Sequence, residues 1–432
     1  MILKLPYGEK ELQLQIPKES PITVLAPRAR PSIKDVLASA ERALKNPIGR
    51  GRMNEAVRPR DRVAIIVDNW LRPTPAHQIL PAVVSELEES GVKDENVLVA
   101  IASGVHRPCT QSELQKKLGK EVVERFRVVQ HNCRYHEAVP ASNLVFLGIT
   151  SRSTPVWINE EVWKADFKVG VSHIGGNPFA GYTGGGKIII PGVAGWDTID
   201  WNHKMALSPL SKYCATEGNI VREDIEESAR MAALNMTIDV VLDSENQVVN
   251  VTAGDFVKEH REGLKVCKEL YEIPMSERAD ITIVSANPKH DAFFGSAWAL
   301  LSADIATKKG GTIILAAQCP LGVAHKGCKY YDACRQYFVR ELSPQKVLHD
   351  IARGAIPGFI GKTVYQISRI ISEKNLTILS EGVKESEITE MGANAASSLD
   401  EALEYAFTIH KKRARIAAIP FGGITVPIIP SG

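Results

Sequence analysis

The chain has 432 residues, 44% of them hydrophobic and 24% charged, so it is long enough for two cores and too apolar for a disordered chain. Its 52 basic and 50 acidic side chains leave a formal charge of +2, which gives no electrostatic case for nucleic acid or a membrane surface. No apolar run could cross a bilayer, the first residues hold no signal-type stretch, and seven cysteines without a CxxC pair indicate reduced thiols; the expectation is a cytoplasmic protein. The opening segment predicts a hairpin, because Leu3, Leu5, Leu12, Leu14 and Ile16 alternate about a turn at Tyr7-Gly8-Glu9-Lys10. Helical spacing follows over 31–45, then a short apolar strand over 63–67 that ends in Asp68-Asn69. A helix over 75–89 and a strand over 97–101, ending in Ser103-Gly104, complete a strand–helix–strand unit. That order predicts a parallel α/β sheet, in which ligands collect at the C-terminal ends of strands. Arg72 and His106 lie in the two loops so placed.

A further strand over 167–171 leads into a glycine-dense segment, 175–195. A helix over 217–234, strands over 238–242 and 248–251, and a helix over 255–271 close the first half. A second series begins with a strand over 280–284, a helix over 293–307 and a strand over 312–316. Helices over 344–353, 362–372 and 399–410 follow. The fold class expected is α/β in two domains, 1–274 and 275–432, the first binding a cofactor. Each has a mainly parallel sheet flanked by helices, with an active site in the cleft between them.

The most informative segment runs from Asn177 through Gly181, Gly184, Gly185, Gly186 and Lys187 to Gly192. Glycines let backbone approach a bulky ligand and supply amide donors for anionic oxygen. Gly181 to Lys187 has the spacing G-x-x-x-x-G-K, but Ile188 stands where a phosphate loop needs a magnesium-binding hydroxyl. His203 follows Lys187 by sixteen residues, and His173 ends the strand before the glycines. Imidazole is the side chain most readily poised as acid or base near neutral pH, and Arg72 suits bidentate binding of a carboxylate. Cys319, Cys328 and Cys334, near His325, fit no common zinc spacing and are read as structural.

Taken together, Asp68-Asn69-Trp70-Leu71-Arg72-Pro73-Thr74-Pro75, the segment Ser103-Gly104-Val105-His106-Arg107-Pro108, the Phe179 to Gly195 stretch and His203 resemble the nickel-dependent lactate racemase family. The resemblance covers nearly the whole chain. It implies a nickel-pincer nucleotide, pyridinium-3,5-bisthiocarboxylic acid mononucleotide, attached to Lys187 as a thioamide and holding nickel through carbon and two sulfurs. By the same resemblance His203 is the protein ligand to nickel, a donor set reasonable for square-planar Ni(II). Gly184, Gly185 and Gly186 would approach the nucleotide, with its phosphate near Asp68 and Asn69. His106 matches one family acid–base histidine and Arg72 the arginine that orients substrate. The implied reaction is racemisation or epimerisation of a 2-hydroxy acid, with a histidine taking the hydroxyl proton as hydride leaves Cα. The implied partners are a small-molecule substrate and the enzymes that make the cofactor, with no nucleic acid and no membrane.

Departures from the family pattern are equally specific. Asn177 occupies the place of the second acid–base histidine, and an amide exchanges no proton near pH 7, so His173 is the candidate to stand in. Phe294 and Trp298 replace a tyrosine and a lysine that contact substrate, and Lys362 or Thr363 replaces a tryptophan. Losing two charge-assisted hydrogen bonds costs a small carboxylate on the order of 1.5–3 kcal/mol each. The substrate expected is therefore larger than lactate, aromatic or sugar-derived. The alternatives are a one-sided hydride-transfer oxidoreductase or redox isomerase on the same cofactor, and a non-catalytic cofactor-binding homologue.

Overall fold

The computed structural model describes residues 1–133, 141–324, 330–338, 340 and 343–430. The chain forms two compact units: a terminal unit, Met1–Arg28 with Leu270–Gly432, and an inserted unit, Ala29–Glu269. The terminal unit opens with β1 (Ile2–Tyr7) and β2 (Lys10–Gln15), an antiparallel hairpin that turns at Gly8 with φ +61°, and β3 (Ile22–Val24).

The inserted unit contains α1 (Val36–Lys45), β4 (Val63–Asp68), α2 (Ala76–Glu89), β5 (Val97–Ala102), α3 (Gln111–Leu118) and β6 (Arg127–Gln130). It continues with β7 (Phe167–Ile174), α4 (Trp196–Lys204), α5 (Ile220–Met231), β8 (Met236–Leu242) and β9 (Val248–Gly254). Helix α6 (Lys258–Tyr271) leads out of it. The six strands lie in the order β9-β8-β7-β4-β5-β6, and only the β8–β9 pair is antiparallel. Strands β4, β5 and β8 are buried along their whole length, which is why residues 63–67 and 97–102 read as unbroken apolar runs rather than alternations, while β8 buries Thr237 and Asp239 among apolar residues. From β4 the chain builds outward through β5 and β6, then returns to β4's other side with β7. The order reverses at β4, and in open α/β sheets that reversal is where a crevice for ligands forms.

The terminal unit resumes with β10 (Ala279–Ser285), α7 (Phe293–Ala306), β11 (Thr307–Ala316), α8 (Gly358–Glu373), β12 (Asn375–Leu379), β13 (Asn394–Ala395), α9 (Leu399–His410) and β14 (Ile416–Ile419). Its sheet runs β13-β12-β11-β10-β14-β3, all parallel. The fold class is thus α/β with two mainly parallel sheets flanked by helices.

The sequence reading placed one boundary at 275, whereas the chain passes between units at 28/29 and again at 269/270. The cause is the first 28 residues. β3 pairs with β14, and Leu3, Leu5, Leu14 and Ile16 bury against Ile281, Ile283, Ile416 and Ala418. A hairpin pattern shows which face is apolar but not which sheet it covers. The helix expected from 217 starts at Ile220, because Asn219 caps it by accepting from the amides of Val221 and Arg222. β7 continues three residues past its expected end, which puts His173 inside the strand. Cys319 and Cys334 are buried, while Cys328 and His325 lie outside the described residues. Among the described residues no helix is long and apolar enough to cross a membrane.

Candidate active site

Three adjacent strands, β7, β4 and β5, deliver side chains to the reversal point. Asp68 is the last residue of β4, only 7% exposed, with Oδ1 2.5 Å from the Lys117 ammonium. The Thr74 hydroxyl donates to Asp68 Oδ2 at 2.5 Å, so its oxygen can accept from His173 Nδ1, 3.1 Å away. His173 Nδ1 also faces Asp68 Oδ2 at 3.4 Å. Burial alone would raise the Asp68 pKa, but Lys117 and His173 outweigh it and hold the carboxylate ionised, below its usual range. Burial pulls His173 below its ordinary range; Asp68 opposes this, while Arg72 and Lys117 add to it. His173 is therefore neutral near pH 7.

Arg72 is partly buried two residues before Thr74, and burial lowers its pKa against the pull of Asp68. Among the described residues its guanidinium has no ion pair. Asp68 is matched by Lys117, so Arg72 is the surplus positive charge of this cluster.

Asn69, expected beside the cofactor, also braces the protein. Its Oδ1 accepts from the Leu71 amide and its Nδ2 donates to the Ser103 carbonyl, tying the loop after β4 to the loop after β5. The latter loop carries partly exposed His106. It is braced by Arg107, which forms a two-point bond to Glu113 and lies 4.0 Å over the Trp70 ring. Gly104 N–H donates to the Gly192 carbonyl at 2.9 Å, joining the His106 loop to the glycine segment.

The fold itself requires the glycines of that segment. A Cβ on Gly181 would stand 1.9 Å from the Ala215 carbonyl oxygen, one on Gly184 2.8 Å from Asp239, and one on Gly185 2.8 Å from the Phe256 carbonyl. The glycines are there because protein fills their side-chain space. The amides are engaged too: Phe179 and Ala180 donate to Asn177 Oδ1, Thr183 to the Gly175 carbonyl, and Gly185 to Asp239 Oδ2 at 2.6 Å. Fully buried Arg222 holds the carbonyls of Ala180 (3.2 Å), Gly184 (3.1 Å) and Tyr182. His260 Nε2 donates to the Thr183 carbonyl at 2.8 Å. Arg222, Asn219, Asp239 and His260 escaped the sequence reading; their helix and strand contexts look ordinary, and only the fold reveals what they hold.

Asn177 uses its carbonyl oxygen as the cap of this turn, which explains an amide there on structural grounds. Lys187 sits partly exposed in the 3-10 turn Gly185–Ile188 that the cage fixes. His203, 7% exposed near the end of α4, has Nδ1 2.8 Å from the Ile199 carbonyl. A carbonyl can only accept, so Nδ1 bears the proton and Nε2 carries the lone pair that a metal requires. Among the described residues no three His, Cys, Asp or Glu side chains cluster as a metal site. One imidazole in ligating tautomer and one lysine on a locked turn fit a metal that brings its other donors with a covalently held cofactor.

The buried acids beneath the turn give a prediction. Asp239 accepts from Gly185 N–H and Ser172 Oγ, and Glu259 accepts from Thr237 and Thr252 hydroxyls. Burial raises both carboxyls and, with the Asp239 charge adding to it, holds Glu259 well above its ordinary 4.5. The folded state thus binds the Glu259 proton more tightly than the unfolded chain does, so its stabilising effect is present below about pH 4.5 and is lost as pH rises through the folded pKa. Glu259→Gln keeps an uncharged donor and acceptor without the titration. Its urea midpoint should fall less than the wild type's between about pH 5 and about pH 9. Parallel curves for the two proteins would show that Glu259 does not carry this proton.

In the terminal unit, Phe294 packs at 5.7 Å edge-to-face on Phe338 and at 5.9 Å on Phe359. Trp298, one turn on, lies beneath the Lys289 ammonium at 3.0 Å from its ring centre. Lys362 is 5% exposed, with its ammonium 5.0 Å over Phe359. Of the three residues read as substrate contacts, Phe294 and Lys362 thus share one aromatic cluster of α7 and α8 around Phe359, and Trp298 is capped by Lys289.

The sequence matches the lactate racemase N-terminal domain over residues 7–213 and the lactate racemase C-terminal domain over 275–428. It is 30% identical over 431 residues to the lactate racemase of Thermoanaerobacterium thermosaccharolyticum, covering 97% of each chain. Against the lactate racemase of Lactiplantibacillus plantarum identity is 28% over 426 residues, covering 97% of this chain and 98% of the other. The solved lactate racemase apoprotein of T. thermosaccharolyticum superposes with a TM-score of 0.88 at 27% identity, over the full length of both chains. A Thermotoga maritima protein shares the fold at a TM-score of 0.68 and 16% identity, covering 93% of this chain and 100% of that one. With two consecutive domain matches and full-length relatives, this chain belongs to the lactate racemase family of isomerases.

Proposed function

We propose that the chain is a racemase or epimerase of a 2-hydroxy acid that works with a nickel-pincer nucleotide carried on Lys187. The observation that carries this reading is the charge pattern at the β4 reversal point. Arg72, a cation without an ion pair among the described residues, stands beside the neutral His173. An unmatched guanidinium in a partly buried strand-end loop calls for an anion, and a carboxylate fits its fork. His173, and His106 on the neighbouring loop, are the groups able to exchange a hydroxyl proton near neutral pH. Lys187 would hold the cofactor and His203 Nε2 would be the protein's ligand to nickel. When bound, the cofactor supplies the two-electron chemistry that opens and recloses the stereocentre.

The substrate is larger than lactate in this reading, because Phe294 and Trp298 present ring surface where two polar contacts are expected in lactate-acting relatives. Protein made alongside the cofactor-synthesis enzymes should carry stoichiometric nickel and a mass adduct on Lys187. Lys187→Arg should lose both while keeping the wild-type circular dichroism spectrum. Wild-type protein from such cells with neither adduct nor nickel would overturn the reading. On loaded enzyme, chiral chromatography over a panel of 2-hydroxy acids and aldonates should rank lactate below an aryl or polyhydroxy acid; lactate ranking first would remove the larger-substrate part.

A further inference from the structure

We propose that Asp68 and Thr74 are positioning residues that make His173 a catalytic acid–base group, its Nε2 taking and returning the substrate's hydroxyl proton. This rests on the reaction proposed above but assigns Asp68 a different task from the cofactor contact expected of it. The hydrogen-bond arithmetic fixes the tautomer. Lys117 leaves Asp68 ionised and therefore acceptor-only. The Thr74 hydroxyl gives its single proton to Asp68 Oδ2, so toward His173 it can only accept. Both oxygens facing His173 Nδ1 are thus acceptors, at 3.1 Å and 3.4 Å, and Nδ1 must carry the ring proton. Nε2 is left basic, on the ring edge that lies over Gly175, where a side chain would come within 3.7 Å of it.

The carboxylate does two jobs in this arrangement. It holds the ring in one orientation, and it stabilises the imidazolium that forms when Nε2 accepts a proton. In the forward step the substrate O–H bond breaks, an Nε2–H bond forms and the freed O–H electron pair becomes the second C–O bond, while the Cα hydrogen would leave with both electrons of its bond as hydride, for which the cofactor of the reading above would supply the acceptor. In the return step the proton goes back to the same oxygen. The charged groups facing His173 are Asp68, Arg72 and Lys117, with Asp239 on the neighbouring strand β8. Arg72 and Lys117 keep the resting ring neutral, as a base must be; Asp68 supports the charged form that follows.

Two kinds of measurement test this. In full-length protein without cofactor, the nitrogen NMR shifts of His173 should report the Nδ1–H tautomer. Asp68→Asn places an amide donor opposite Nδ1 and should switch the ring to Nε2–H. In loaded enzyme that variant should lose roughly a hundredfold or more in kcat with a smaller change in KM. Thr74→Val, which leaves Asp68 and Lys117 paired, guards against a folding defect; it should lower kcat and move the pH profile, and Thr74→Ser should restore both. A wild-type Nε2–H tautomer would overturn the proposal. So would a His173→Gln variant with unchanged kcat, or Asp68→Asn and Thr74→Val with wild-type pH profiles. The tautomer is read without cofactor and the Lys187 adduct without His173, so failure of one is distinguishable from failure of the other.

Discussion

Replacing Arg222 with methionine is expected to destabilise the inserted unit by about 2–5 kcal/mol and to loosen the turn that carries Lys187. Arg222 is wholly buried and donates to three carbonyls of one segment, those of Ala180, Tyr182 and Gly184. Methionine matches its length but donates nothing, so three buried acceptors lose their partners at about 1–3 kcal/mol each. Part of that loss is offset, because burying the guanidinium is itself costly, as the lowering of its pKa by burial indicates. The net effect should appear as a drop of roughly 5–15 °C in the midpoint for this unit, at about 2–4 °C per kcal/mol. Locally, the amides of Thr183 and Gly185 should exchange hydrogen faster than in wild type, since the segment that carries them toward Gly175 and Asp239 is held by the same clamp. Arg222→Lys keeps the charge but not the planar fork, and should recover only part of the loss. Unchanged exchange at Thr183 and Gly185 in Arg222→Met would show that the glycine segment does not depend on this clamp.

Much of the architecture was legible because buried parallel strands announce themselves. The Val63 to Val67 run and the Val97 to Ile101 run are strands that end at the Asp68-Asn69 and Ser103-Gly104 loops of the candidate site, and α9 begins and ends where helical spacing places it. What periodicity could not carry was partnership across the chain. The opening hairpin belongs with Ile416 and Ala418 some 400 residues later, a pairing that no local pattern encodes. The site divides in the same way. Asp68, Arg72, His106, His173, Lys187 and His203 stood out because residue type and loop position both drew attention to them. Thr74 sits inside a motif without a role of its own there, and nothing in the local sequence singles out Lys117 or Arg222. Each acquires a function only through burial. A dense run of glycine reflects close backbone approach, and the groups that approach Gly181, Gly184 and Gly185 from the Cβ side are Ala215, Asp239 and Phe256, which a sequence pattern does not name.

Lys117→Met should cost about 3–5 kcal/mol at neutral pH, more than an exposed lysine could, because it strands a buried carboxylate. Lys117 is 6% exposed, 2.5 Å from Asp68 Oδ1, and donates to the carbonyls of Arg72 and Thr74 at 3.0 Å each. In the wild type the Asp68 pKa is lowered in the fold, so its pairing stabilises above the unfolded value near 3.8 and is lost as pH falls through the folded one. Without Lys117, burial, which raises the Asp68 pKa, is opposed chiefly by His173. The variant should then bind protons more tightly folded than unfolded, on Asp68 or on His173 drawn toward it, and its deficit should shrink between about pH 7 and about pH 5. Adding Asp68→Asn removes the stranded charge while keeping an acceptor for Thr74, so Lys117→Met with Asp68→Asn should be more stable than Lys117→Met alone at neutral pH. Denaturant midpoints of the four proteins at the two pH values give the coupling directly. A double variant no more stable than Lys117→Met, together with a deficit that does not change with pH, would mean that Lys117 acts through its two carbonyl bonds and not through Asp68.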